Sequence, residues 1–245
     1  MDINFKHQYR IELAETLSGH WYSVWELNKT KKEKFLGHFA SVTTYLNAYP
    51  TSEQLMQWMS SNGFHESRAI RDAAGKAGTR IHLAAEELIG KNTIYKSNYS
   101  TEEWVKLESF VKWYHEYQPE ILATELPIFS KKYGYAGRID CIAKTGNAIN
   151  VLDWKSSRSI HSSMALQFSA YAVALEEMTD LKIDNTAAVQ LGAQNNNGYR
   201  YILYPDWRNH FKIFLNVKKT WEYDTGYIDK DKKPPVLNLP TELKL

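Results

Sequence analysis

Between residues 41 and 117 the apolar positions recur with a helical period, and from about 122 they alternate as strands do. Residues 1–40 are polar and weakly periodic, which predicts an N-terminal arm with a strand or two. Ser41-Val42-Thr43-Thr44-Tyr45-Leu46 predicts a short helix start; Pro50 then breaks the chain, and Ser52 caps a helix through Leu55, Trp58 and Met59. A further helix is expected over 66–75, ending near Gly75 or Gly78. Thr79 then caps a separate helix over 80–90, whose Ile81, Ala84, Ala85, Leu88 and Ile89 share one face before Gly90 closes it. The stretch 101–117 predicts another amphipathic helix, capped by Ser100 or Thr101, with acids in its first turn. Strands are expected over 122–130, 134–144 and 148–155. Ser162 or Ser163 opens a long helix to about 178, and strands near 186–193 and 199–204 precede a last helix over 206–222. The tail after Gly226, with Pro234, Pro235 and Pro240, reads as extended. The pattern has no internal repeat and no linker, so it predicts one α/β domain over 41–225, between the arm at 1–40 and the tail at 226–245.

Gly146-Asn147 sits between two apolar runs and has glycine first, the signature of a two-residue type II′ hairpin. With that loop, residues facing each other across the hairpin have numbers that sum to 293, so Asp140 lies opposite Asp153. Directly opposed Cβ atoms stand about 4.5–5.5 Å apart. Two carboxylates that close repel, raise one pKa, or share a cation. Lys155 follows Asp153 by two residues and projects from the same face. Ile139, Cys141, Leu152 and Trp154 make the opposite face apolar. On its own, the pattern equally fits surface acids on an edge hairpin, one of them paired with Arg138 or Lys155.

Composition narrows the class. The 245 residues are 43% hydrophobic and 24% charged, an ordinary globular balance without disorder or collagen-like repeats. No apolar run approaches the roughly 18 residues a bilayer span needs, and the N-terminus has no apolar secretory core, which predicts an intracellular, cytoplasmic protein with no membrane partner. The single cysteine, Cys141, forms no internal disulfide and excludes an all-cysteine zinc or iron–sulfur site within one chain. A net charge of +2 gives weak support for a polyanion partner. Lys29, Lys31, Lys32 and Lys34 cluster, as do Lys230, Lys232 and Lys233, and Lys131–Lys132 precede Gly137-Arg138-Ile139-Asp140; such clusters are more often solvated loops than binding sites.

Two further pairs change the weight of the hairpin acids. His82 and Glu86 are four residues apart and share a helical face, and the preceding Gly78-Thr79 would let a first-turn histidine point into a cleft. Gln167 and Tyr171 share a face of the helix that follows Asp153-Trp154-Lys155. Either pair alone is ordinary.

In order, Gly78-Thr79-Arg80-Ile81-His82, Gly137-Arg138-Ile139-Asp140, Asp153-Trp154-Lys155 and Gln167-Phe168-Ser169-Ala170-Tyr171 resemble the RecB-like exonuclease branch of the PD-(D/E)XK nuclease superfamily. Ser41-Val42-Thr43-Thr44 and the Trp58 helix are similar to small phage-type and mitochondrial genome maintenance exonucleases of that branch. The resemblance covers roughly 40–220. It implies a restriction-endonuclease-like α/β core, a mixed central sheet flanked by helices, with extra N-terminal helices. It implies Mg²⁺ or Mn²⁺, one or two ions, held by His82, Asp140, Asp153 and the backbone carbonyl of Trp154. Lys155 would be the catalytic lysine beside Asp140 and Asp153. Gln167 and Tyr171, with Glu125, Arg138 and Glu86, would hold DNA or support the site. The implied reaction is phosphodiester hydrolysis to a 5′-phosphate and a 3′-hydroxyl on DNA, single-stranded or with free ends, in phage or organelle-type replication, recombination or repair. The implied partners are a recombinase, a single-strand-binding protein or a helicase, since no helicase motif is present. The sequence departs from the superfamily pattern at Ile139, where proline is usual, and lacks the four cysteines of iron–sulfur relatives. A structure-specific flap or junction endonuclease and a non-catalytic DNA-binding recombination partner remain alternative readings.

Overall fold

The computed structural model describes residues 3–28, 32–228, 233–237 and 242. Lys29, Lys31, Lys230, Lys232 and Pro240 lie outside these residues, so the expectations placed on them are not taken further.

The segment read as an arm with one or two strands is a three-stranded antiparallel sheet, β1 (Gln8–Ala14), β2 (Trp21–Leu27) and β3 (Glu33–Ala40). Its alternation is diluted because most of its side chains are only half-covered, with Trp21, Tyr22, Val24 and Ala40 the main buried apolar positions. Arg10 binds it across strands, lying 3.6 Å over the Trp25 ring and pairing with Glu33.

The helices begin where the caps predict. Ser41 accepts a hydrogen bond from Thr44 N and opens α1 (Val42–Tyr45), and Ser52 accepts from Leu55 N and opens α2 (Glu53–Asn62). The next helix differs from expectation. The two pieces over 66–75 and 80–90 are one helix, α3 (Phe64–Ile89), and the chain breaks at Gly63, with φ +76°. Gly75 and Gly78 cost about 1 kcal/mol each against alanine in a helix, but Ala73, Ala74, Lys76 and Ala77 are strong helix formers that carry the helix through. Thr79 is therefore no N-cap: its hydroxyl donates back to the Gly75 carbonyl at 3.2 Å. α4 (Thr101–Tyr117) starts with a full capping box, in which Ser100 and Glu103 each satisfy the other's backbone N–H.

Strands β4 (Glu120–Ser130), β5 (Tyr135–Thr145), β6 (Ala148–Lys155), β7 (Asn185–Leu191) and β8 (Tyr199–Tyr204) pair in that order. Only β6 and β7 are parallel, joined through α5 (Ser162–Met178); α6 (Trp207–Thr225) follows β8. The result is a mixed sheet with helices on both faces. Ile142 and Val151 pack toward α5 and α6 with Leu166, Ala170 and Phe214, whereas Cys141, Leu152 and Trp154 pack toward α3 and α4 with Ile81, Phe110 and Trp113. Ile139, Cys141, Leu152 and Trp154 are all buried. Among the described residues no helix is long and apolar enough to cross a membrane.

Candidate metal centre

The β5–β6 hairpin has the predicted register. Thr145 pairs with Ala148 and Cys141 with Leu152, both sums being 293, and Gly146 has φ +60° while Asn147 is not in the left-handed region, as a type II′ turn requires. Continued one residue, that register sets Asp140 opposite Asp153. On the other side of β5, Thr124 pairs with Cys141 and Leu126 with Ile139, which sets Glu125 opposite Asp140. Three acids, Glu125, Asp140 and Asp153, therefore form one row across β4, β5 and β6. Glu125 adopts a left-handed conformation with φ +48° at this point, a strain placed beside the acids, and pairs with Arg138 at 3.4 Å.

Nitrogen donors close the centre. His82 reaches it from the last third of α3, not from a first helical turn as the sequence reading expects. Its Nε2 lies 2.8 Å from the Trp154 carbonyl and its Nδ1 3.2 Å from Asp140 Oδ2. A carbonyl only accepts, so Nε2 carries the proton and donates. A neutral ring then turns the Nδ1 lone pair toward the carboxyl oxygen, an arrangement that a proton or a cation between them relieves. Lys155 Nζ stands 2.8 and 3.0 Å from the two oxygens of Asp153, whose residue is 2% exposed.

Charge follows this packing. Burial, and then the neighbouring Asp153 charge, push the Asp140 carboxyl well above the usual carboxylate range. Burial alone would lower Lys155, but Asp153 and Asp140 outweigh it and hold the ammonium raised and protonated.

The donor set fits a small hard cation. One donor atom each from His82, Asp140 and Asp153 lie within 4.8 Å of one another. Asp140 Oδ2 is buried and accepts no hydrogen bond, and the buried Asp153 Oδ1 meets only the Lys155 ammonium, so a cation would find one unengaged carboxyl oxygen and share the other with Lys155. Bonds of 2.0–2.1 Å place adjacent octahedral ligands roughly 3 Å apart, close to the 3.2 Å between His82 Nδ1 and Asp140 Oδ2.

The remaining predicted residues fall at two distances from this centre. Gln167 Nε2 donates to the Tyr171 hydroxyl at 2.9 Å, and the Tyr171 ring packs so tightly on Gly137 that a Cβ there would lie 2.7 Å from Cε1. The glycine of Gly137-Arg138-Ile139-Asp140 thus has a cause in the tyrosine 34 positions later. Glu86, Glu125 and Arg138 line an open cleft of about 700 Å³ beside Asp140 and His82, and Thr124 donates to Glu86 at 3.4 Å. His20 also lines this cleft, and nothing in the sequence pointed to it. Gln190 was also passed over, although a lone polar residue inside Ala187-Ala188-Val189-Gln190-Leu191 is a visible anomaly in a buried parallel strand.

No curated protein matches the chain. A solved structure titled "Crystal structure of SSO0001" superposes with a TM-score of 0.34 at 13% identity, over 78% of this chain and 85% of that one. A sequence model of the PD-(D/E)XK nuclease superfamily matches residues 58–199, more than half of the 245 residues and a span that includes His82, Asp140, Asp153 and Lys155. The chain belongs to the PD-(D/E)XK nuclease superfamily.

Proposed function

We propose that this nuclease is a Mg²⁺- or Mn²⁺-dependent DNA exonuclease of the RecB-like branch, acting on single strands or free ends. The observation that carries the reading is the cluster of His82, Asp140 and Asp153 donor atoms within 4.8 Å, with Lys155 on Asp153. The order of the four motifs supports the exonuclease branch. Asp140, Asp153 and His82 Nδ1 would hold a divalent cation, which would supply Lewis-acid polarisation of the phosphodiester and a lower pKa for the attacking water. The Trp154 carbonyl, expected from the sequence as a further ligand, faces His82 Nε2 instead.

The chain's own groups do the rest. Lys155 stays cationic beside Asp153, orients the attacking water and offsets charge that grows on the phosphoryl oxygens. Asp153 fixes the Lys155 ammonium through both carboxylate oxygens. Tyr171 accepts from Gln167, and its own proton is free to be donated toward the acids or a substrate oxygen. Arg138, exposed at the cleft mouth, meets DNA phosphate, while Glu125 and Glu86 shape the cleft wall. Hydrolysis leaves a 5′-phosphate and a 3′-hydroxyl.

The test uses end-labelled linear DNA and covalently closed single-stranded circles, each with Mg²⁺ or Mn²⁺ and with a chelator. The reading expects metal-dependent shortening of linear DNA, intact circles, and loss of activity in Asp153→Ala and Lys155→Ala. Cut circles would make the protein an endonuclease, and equal cleavage by both variants would remove these residues from the reaction.

A further inference from the structure

A second row of side chains crosses the same sheet. Lys155 on β6 is in register with Gln190 on β7, and Gln190 with Arg200 on β8. Paired residues project from one face, so the three stand side by side, and Arg200 lies two strands, roughly 10 Å, from Lys155. That is about three steps along a DNA strand at 3.4 Å each.

Gln190 joins this row to the loop after β6. It is 3% exposed, and its amide donates to the Ser157 and Arg158 carbonyls at 3.0 and 2.8 Å, which fixes the loop that carries Arg158. Its Oε1 is buried without a partner. Arg158, Gln190 and Arg200 line an open cleft of about 800 Å³ with Lys106, Glu102 and Asn195. The one acid among these, Glu102, is paired with Lys106 at 2.8 Å. The Arg158 and Arg200 side chains are exposed and make no hydrogen bond or ion pair among the described residues, the Arg158 charge acting only at longer range on Glu102. The cleft therefore carries two uncommitted guanidinium groups directly beyond the lysine that faces the scissile phosphate.

We infer that this cleft, through Arg158 and Arg200, binds the backbone phosphates of the DNA strand being cut, on the side of the scissile phosphate away from His82. The inference rests on the nuclease site proposed above. Guanidinium forks match phosphate bidentately, and a row anchored on Lys155 aligns them with the reacting group. Gln190 acts as a positioning residue, holding the Arg158 loop in line with β6.

The test measures binding of a fluorescein-labelled single-stranded oligonucleotide across a salt series with chelator present, and steady-state cleavage with Mn²⁺. In Arg158→Ala/Arg200→Ala, Kd and KM rise about tenfold or more, kcat at saturating DNA stays within about twofold, and the melting temperature is unchanged. The slope of log Kd against log salt falls by about 1.4, two contacts at about 0.7 each. The Arg158→Lys/Arg200→Lys variant restores the slope. A control, Lys212→Ala/Lys219→Ala on the surface of α6, leaves Kd near wild type. An unchanged Kd and slope in the alanine variant, or an equal shift in the control, overturns the inference while wild-type cleavage leaves the nuclease reading intact. A wild type that binds through these arginines without cleaving DNA would do the reverse.

Discussion

Two rows of side chains share one face of the central sheet and meet on β6, where Asp153 and Lys155 stand two residues apart. The row over β4, β5 and β6 is Glu125, Asp140 and Asp153; the row over β6, β7 and β8 is Lys155, Gln190 and Arg200. The backbone treats them alike, but their energetics differ. The acid row concentrates like charge in a buried place and depends on a proton, a cation or Lys155 to offset it. The second row is anchored by a buried amide and ends in a solvated arginine, so it costs the fold little. Proximity alone does not make a reactive centre; the row that the protein cannot leave uncompensated is the one we propose binds a metal.

Breaking the acid row has the largest expected effect. Asp140→Asn or Asp153→Asn should lower Mn²⁺-supported cleavage by about a thousandfold or more, since Lewis-acid stabilisation is worth several kcal/mol. Calorimetric Mn²⁺ titration should show the matching loss of binding; wild-type affinity in both variants would detach the acids from the metal.

At the junction of the rows, Lys155→Ala should cost about 10²–10³-fold in kcat, the scale of a lost electrostatic donor, yet keep Mn²⁺ binding. Loss of metal binding instead would move Lys155 from chemistry to assembly of the centre.

Gly137→Ala probes the packing under the acid row alone. The added methyl meets the Tyr171 ring and should destabilise the protein by about 1–3 kcal/mol, read from denaturant unfolding. In a double-mutant cycle with Tyr171→Ala most of that cost should vanish, and additive effects would sever the link between the two motifs.

The smallest effect comes from the wall of the first cleft. Gly75 is inside α3 with open space where a Cβ would go, so Gly75→Ala should raise stability by about 0.5–1 kcal/mol and leave cleavage unchanged. Thr79→Ala should change stability by less than about 0.5 kcal/mol, where a true N-cap would lose about 1.

The hairpin acids were legible because a two-residue turn fixes register without reference to the rest of the fold. The third acid was not placed by sequence, because setting Glu125 opposite Asp140 requires the register of β4, which shifts between Ile121 and Ala123. The capped starts of α2 and α4 were legible for the same local reason as the turn. α3 was read as two helices because Gly75 and Gly78 are stop signals only when helix-forming neighbours do not carry the helix through them. Strands β1 to β3 were blurred into an arm because their half-covered side chains, Leu13 and Phe35 among them, leave no clean alternation. The second row needed two strand registers at once, and only Gln190 inside an apolar strand hinted at it.

The first sheet is fastened by parts of the chain made much later. Phe5 bridges Thr179, Thr16 bridges Val236, and Trp21 packs against Trp221 and Tyr227. A ribosome adding about 5–20 residues per second places Trp221 roughly 10–40 s after Trp21. Through that interval Trp21 waits without these two rings, although Phe129 of β4 already packs on Tyr9 and Phe39. The Trp21 end of the earliest-made sheet is thus among the last parts of the enzyme to be covered, and the nascent protein stays open there to chaperone capture, or to mispairing with a neighbouring chain, until α6 leaves the exit tunnel.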